Sequence, residues 1–248
     1  TFIHESNSFA GKSNIMLGKK ATRIFAGTEG LEKFFPAEKI MVTGNPVRTS
    51  ITGSRISREE AIRFFSLEAS KKTLLVVGGS LGAKSVNEAI GKGLEKITGA
   101  GLQLIWQTGK PYAPIAKEIT KGLNTVWAGD FIAQMEYAYA AADVVVARAG
   151  AMTVAEICVV NRPVLFVPYP FAAEDHQTVN AMQLVNKHAA LMVKDSEAKE
   201  KLVFMAIELA KDPAKQEEMK MNLAPLAIAD ADKRIATAIM NILNGKNF

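Results

Sequence analysis

From Ser57 to Val193 short apolar runs alternate with longer segments of helical spacing, and this pattern constrains the fold more than any other feature. The spacing predicts helices over Ser57–Phe65, Ala83–Ile97, Tyr112–Lys121, Ile132–Ala141, Thr153–Val160 and Gln177–His188. It predicts strands over Thr73–Val77, Leu102–Gln107, Thr125–Ala128, Val144–Ala147, Pro163–Val167 and Ala190–Val193. Runs such as Val144-Val145-Val146-Ala147 and Val164-Leu165-Phe166-Val167 are apolar at every position, so both faces of the strand must be covered. Such strands, alternating with helices, specify an α/β fold with a doubly wound parallel sheet, whose ligands collect at the carboxyl ends of the strands.

The flanks read differently. Thr1-Phe2-Ile3 has the character of a strand already under way, with no initiator Met and no preceding helix, so the sequence is expected to be part of a longer one. A helix over Asn14–Ala21 and strands over Arg23–Ala26 and Lys39–Thr43 follow, up to Gly44-Asn45-Pro46. Asn-Pro is a strong breaker, and a domain boundary is expected there. At the other end Glu197–Leu243 is expected to be helical throughout, with apolar residues at helical spacing over Ala231–Leu243.

Bulk properties exclude several classes. The 248 residues are 48% hydrophobic, enough for a substantial core. A single cysteine, Cys158, excludes an intrachain disulfide framework and suits a reducing compartment. The net charge of +5 is carried by residues 1–72, which hold 12 Lys and Arg against 7 Asp and Glu, a surplus that can face an anionic surface or a phosphorylated ligand. No run is long enough to span a bilayer and nothing reads as a signal peptide, so cytoplasmic residence is the default expectation.

The segments that leave the predicted strands carry the candidate chemistry. Leu74–Asn87 reads strand, Gly78-Gly79 turn, helix; glycines let a backbone approach a ligand, and the free N–H groups of a helix start favour phosphate, with Ser80 adding a hydroxyl. An ordinary strained turn explains the same glycines. After Val144–Ala147 come Arg148-Ala149-Gly150-Ala151-Met152-Thr153, with Glu156 one turn on. Thr153 and Glu156 either meet a phosphate and a ribose diol or form a Thr-x-x-Glu capping box. Asp175, His176 and Gln177 offer partners for sugar hydroxyls, although His176 also fits a helix start. Asp130-Phe131-Ile132 can present backbone groups to a flat base, or Asp130 can cap a helix. The three histidines, His4, His176 and His188, lack metal-ligand spacing. Asp230-Ala231-Asp232 resembles a metal-holding Asp-x-Asp but is expected to open the last helix. There is no Gly-x-Ser-x-Gly elbow and no Gly-x-x-x-x-Gly-Lys-Ser/Thr loop.

Taken in order, His4-Glu5-Ser6-Asn7, Gly44-Asn45-Pro46-Val47-Arg48, Val76-Val77-Gly78-Gly79-Ser80-Leu81-Gly82-Ala83, Arg148-Ala149-Gly150-Ala151-Met152-Thr153-Val154-Ala155-Glu156 and His176-Gln177-x-x-Asn180 resemble the MurG family of bacterial cell-wall glycosyltransferases across essentially the whole chain. The resemblance implies a GT-B architecture, two Rossmann-like domains with a nucleotide sugar in the cleft between them. It implies residues 1–47 as the remnant of an N-terminal acceptor-side domain, 48–226 as the UDP-sugar-binding domain, and 227–248 as a helix crossing back to the first. Asn7 and Arg48 would line the cleft, Ser80 and Ala151, Met152 and Thr153 would meet the diphosphate, and Ile132 would offer its backbone to uracil. Glu156 would hold the ribose, and His176 and Gln177 would read the N-acetylglucosamine hydroxyls. Two departures stand out: Ser6 occupies a position where the family usually has Gln, and the family's Gly-Gly-x-Gly-Gly-His loop, which carries the candidate catalytic base, has no counterpart, so no catalytic residue is assigned here.

By that resemblance the activity is an inverting transfer of N-acetylglucosamine from UDP-N-acetylglucosamine to an undecaprenyl-linked muramyl-pentapeptide in peptidoglycan synthesis. It implies no cofactor and no metal for the chemical step, no nucleic-acid partner, and a peripheral place on the cytoplasmic face of the bacterial membrane, reached through the N-terminal domain. The competing readings are another GT-B transferase such as a diacylglycerol glycosyltransferase, a nucleotide-sugar epimerase, and a non-catalytic nucleotide-binding module.

Overall fold

The computed structural model describes residues 1–245, so the end of the expected 227–248 helix, residues 246–248, lies outside the described residues. Two parallel sheets organise the chain. The first is built from β1 (Phe2–Glu5), β2 (Arg23–Ala26) and β3 (Ile40–Val42), paired in that order, with α1 (Lys12–Gly18) between the first two. Its core is small: Ala10, Ala21, Ile24, Ala26, Leu31 and Phe35.

The second sheet contains β4 (Thr73–Val77), β5 (Gln103–Gln107), β6 (Val126–Gly129), β7 (Val144–Ala147), β8 (Val164–Phe166) and β9 (Leu191–Met192), all parallel. The strand order is β6-β5-β4-β7-β8-β9. Because successive side chains point to opposite faces, the apolar runs feed two cores at once. Leu75, Ile105, Val145 and Phe166 face one core, and Leu74, Trp106, Val146 and Leu165 the other.

Helices cover both faces. On the first lie α2 (Thr49–Thr52), α3 (Arg58–Phe64), α7 (Met135–Ala141), α8 (Ala151–Val160) and α9 (His176–Val185), contributing Ile51, Ile62, Tyr139, Ile157 and Leu184. On the other, α4 (Lys84–Lys92), α5 (Leu94–Gly99), α6 (Ala113–Ile119), α10 (Ala198–Lys211) and α11 (Pro213–Leu223) contribute Ile90, Ile97, Ala116, Leu202 and Met219. Val47 already buries into the second sheet's core. Ser57 caps α3 by accepting the Glu60 N–H at 3.1 Å, as its side chain and position favour.

Three expected helices are corrected. The stretch over Ala83–Ile97 divides into α4 and α5 at Gly93, where a Cβ would stand 2.5 Å from Val203 Cγ2, so the close approach of α10 requires a glycine at the break. The stretch over Ile132–Ala141 begins only at Met135, so Asp130 caps nothing; its carbonyl accepts the Gly109 N–H at 3.0 Å. Glu197–Leu243 is three α-helices, α10, α11 and α12 (Ala231–Leu243), interrupted at Asp212-Pro213 and after Leu223. Asp230 sits at the start of α12 but makes no side-chain cap, pairing instead with Arg234 at 2.8 Å. The chain leading into α12 returns to the first sheet, with Ile228 packed against Gly44.

Candidate functional site

The strand order reverses between β4 and β7, so the loops leaving those strands diverge and open a crevice at the carboxyl edge of the sheet. The loop after β4, Gly78–Gly82, is anchored at two points. Gly82 has φ +76° and lies so close to the Thr108 carbonyl that a Cβ would stand 2.2 Å from its oxygen. Gly79 has φ +85° with open space where a Cβ would be. Buried Gln107 ties this loop to the one after β6: its Nε2 donates to Gly79 O at 3.1 Å and its Oε1 accepts the Ile132 N–H at 2.9 Å. Ser80 is exposed in the same loop.

After β7, Arg148-Ala149-Gly150 leads directly into α8. Gly150 is the N-cap, offers no side-chain acceptor, and no acidic residue stands in the first turn. The N–H groups of Ala151, Met152 and Thr153 therefore form an uncapped helix start, the arrangement that binds anions. Thr153 is the third residue of the helix and not its cap, which removes the capping-box reading of Thr153 and Glu156. Glu156 has other partners: its Oε2 accepts the Tyr139 hydroxyl at 2.8 Å, and its Oε1 lies 3.8 Å from Arg48 Nη2.

A cleft of about 710 Å³ lies at this edge, lined by Gly79, Arg148, Gly150, Thr153, Tyr169 and Gln177 among others. Thus Thr153, Gln177 and the loop bearing Ser80 meet at one cavity. Gln177 accepts the Tyr169 N–H on Oε1 at 3.0 Å. Glu156 and Arg48 do not line this cavity and form their pair one turn further along α8. The Ile132 N–H, expected to face a base, is committed to Gln107. His176 also stands outside the cavity, its Nδ1 2.6 Å from Ala173 O at the start of α9.

Asn7 belongs to the seam between the two sheets. Its N–H donates to buried Glu5 at 2.9 Å, and its Oδ1 accepts from Asn180 at 3.2 Å. Asn180, 2% exposed, also accepts the Ser8 N–H at 2.9 Å and donates to Ala149 O at 3.2 Å, joining the first sheet's loop to the segment that enters α8.

Burial sets the protonation of two groups near α8. The Tyr139 hydroxyl is pushed well above its ordinary 10.0, first by burial and then by the charge and hydrogen bond of Glu156. The Cys158 thiol is pushed up to about 12 by burial. Among the described residues no three His, Cys, Asp or Glu side chains stand together as metal ligands, and no helix is long and apolar enough to cross a membrane.

Sequence reasoning missed Gln107, Tyr139 and the partners of Arg148. Asn180 and Arg148 stood inside motifs that could have flagged them. Nothing local distinguishes Gln107 or Tyr139 from other residues of their elements.

Residues 73–235 match the Glycosyltransferase family 28 C-terminal domain. A UDP-N-acetylglucosamine–N-acetylmuramyl-(pentapeptide) pyrophosphoryl-undecaprenol N-acetylglucosamine transferase of Phocaeicola vulgatus is 47% identical over 245 residues, which are 98% of this chain and 65% of that protein. The protein of the same name from Bacteroides thetaiotaomicron is 44% identical, over 100% of this chain and 68% of its own length. The chain thus spans about two thirds of the length of the curated relatives it matches. The crystal structure of Acinetobacter baumannii MurG superposes with a TM-score of 0.78 at 27% identity, covering 97% of this chain and 66% of that one. A Staphylococcus aureus MnaA–UDP structure shares the fold, with a TM-score of 0.68 at 18% identity over 92% of this chain and 63% of its own.

Proposed function

The chain belongs to glycosyltransferase family 28, among the MurG transferases, and from that premise we propose that it holds the UDP-N-acetylglucosamine donor for transfer to an undecaprenyl-pyrophosphoryl muramyl-pentapeptide. Its fold is the α/β, GT-B type of that family. The observation that carries the reading is the meeting of an uncapped helix start, Thr153, Gln177 and a close-packed glycine loop around one cleft at the reversal of strand order.

In this proposal the diphosphate sits against the N–H groups of Ala151, Met152 and Thr153 and the loop bearing Ser80. Glu156 accepts from the ribose hydroxyls, and the loop at Ile132 lies along uracil. Gln177 and His176 reach the sugar, with Asn7 and Arg48 on the side of the first sheet. The acceptor hydroxyl attacks the anomeric carbon as the bond to the diphosphate oxygen breaks, and the configuration inverts. Charge grows on the departing diphosphate, where preoriented N–H groups stabilise it more than they stabilise the ground state. No metal ion or cofactor is needed for that step, and nucleic acid takes no part.

Residues 1–47 serve as part of the acceptor-side domain, 48–226 as the donor domain and 227–248 as the return to the first. The base that takes the acceptor proton belongs to the portion of the relatives this chain does not span. The N-terminal domain docks peripherally on the cytoplasmic face of the membrane.

Isothermal titration calorimetry with UDP and UDP-N-acetylglucosamine, with and without EDTA, tests the reading. Saturable binding that EDTA leaves unchanged is expected. Absence of binding by the folded chain, or binding that requires a divalent ion, refutes it.

A further inference from the structure

Arg148 leaves β7 at the cleft, where a cation beside a diphosphate site invites assignment as its ligand. Its hydrogen bonds point elsewhere. Nη1 donates to Val167 O at 2.9 Å, to Pro168 O at 3.1 Å and to the Asp195 carboxylate, and Nη2 donates to Ser85 Oγ at 3.2 Å. Ser85 in turn donates to the same Asp195 oxygen. The guanidinium lies over the Tyr169 ring, 5.5 Å from its centroid. The side chains of Arg148 and Asp195 are only 13% and 21% exposed.

Four chain segments therefore converge on one guanidinium: the start of α4, the exit of β7, the exit of β8 and the turn after β9. A planar fork holds several acceptors in fixed directions, which a lysine ammonium cannot do. Its charge faces a carboxylate in a mostly buried setting, where loss of either partner leaves the other uncompensated.

We propose that Arg148 is a positioning residue: clamped by Asp195 and Ser85, it sets the separation between the Gly78–Gly82 loop and the start of α8, and its charge is committed to Asp195 instead of the diphosphate. The proposal rests on the donor-site reading for its ligand, and makes one prediction that does not need it.

The two roles give opposite signs for Asp195→Asn. If Arg148 is a phosphate ligand, removing its competitor frees the guanidinium and UDP binds more tightly. If Arg148 is a clamp, the rim loosens and UDP binds more weakly. We expect Asp195→Asn and Arg148→Lys each to weaken UDP roughly tenfold in calorimetry, as for members of one hydrogen-bonded network. Ser85→Ala, which deletes one acceptor of Arg148 and one donor to Asp195 but leaves their ion pair in place, is expected to shift affinity the same way by less. Amide hydrogen exchange provides the ligand-independent readout: residues 78–86 and 167–171 are expected to exchange faster in all three variants, while the core strands stay protected. Unchanged exchange in those segments overturns the clamp, and so does equal or tighter UDP binding by Asp195→Asn. Failure of the unaltered chain to bind UDP refutes the donor reading instead, and exchange then decides the clamp.

Discussion

Replacing Glu156 by alanine removes two interactions of different worth, and their separation tests the site. The Tyr139 hydroxyl, in a residue 3% exposed, loses its acceptor at 2.8 Å. Leaving a buried donor unsatisfied costs about 1–3 kcal/mol. The contact with Arg48 is 3.8 Å long and the Arg48 side chain is 54% exposed, so it adds only ~0–1 kcal/mol. For a chain of this size the first term corresponds to a fall in Tm of roughly 2–12 °C. A carboxylate that accepts from ribose hydroxyls is worth about 1.5–3 kcal/mol, so UDP affinity is expected to fall about 10- to 150-fold. Tyr139→Phe removes the orphan without touching the carboxylate, and should leave UDP affinity nearly unchanged. In the double variant no hydroxyl is stranded, so its loss of stability should be smaller than the sum of the single losses. Thermal unfolding read beside calorimetry resolves the two effects. If Glu156→Ala lowers Tm while UDP binds as before, Glu156 is the structural partner of Tyr139 and has no part in nucleotide binding.

Further expectations follow from the same geometry. Gly79→Ala meets open space and should cost about 1–2 kcal/mol through its positive φ alone. Gly82→Ala adds a clash with the Thr108 carbonyl worth about 1–3 kcal/mol more, and equal urea midpoints for the two variants would contradict the packing described. Asn180→Ala strands the Ser8 N–H among others and should destabilise by about 1–3 kcal/mol, seen as faster exchange at residues 6–11; unchanged exchange there would count against the seam. At alkaline pH the native state keeps protons on Cys158, between its ordinary 9.0 and about 12, and on Tyr139 above 10.0, while the unfolded chain loses them. The native state then binds more protons, so stability falls as pH rises, by up to about 1.4 kcal/mol per pH unit for each group. Cys158→Ala should delay the onset of that fall in urea unfolding from near pH 9 to near pH 10; an unmoved onset would refute the assignment.

The sequence by itself determined the elements that depend on period and turn chemistry. Unbroken apolar runs such as Val144–Ala147 can exist only between two covering layers, Ser57 starts a helix because its hydroxyl takes an orphan N–H, and Gly78-Gly79 marks a turn after a strand. The ordered motifs carried the family likeness for the same local reason. Tertiary structure decided the rest. Position 93, between α4 and α5, is glycine because Val203 of α10 occupies the space a Cβ would take, and Thr153 falls inside α8 because that helix starts at Ala151. Glu156 stood out in the sequence as a candidate for a ribose, but its pairing with Tyr139 and Arg48 was not legible there. Gln107 takes the Ile132 N–H, and Asp195 meets Arg148, only because the strand order β6-β5-β4-β7-β8-β9 brings those loop ends to one edge. Strand order is set by which apolar faces bury together across long separations, and no local period records it.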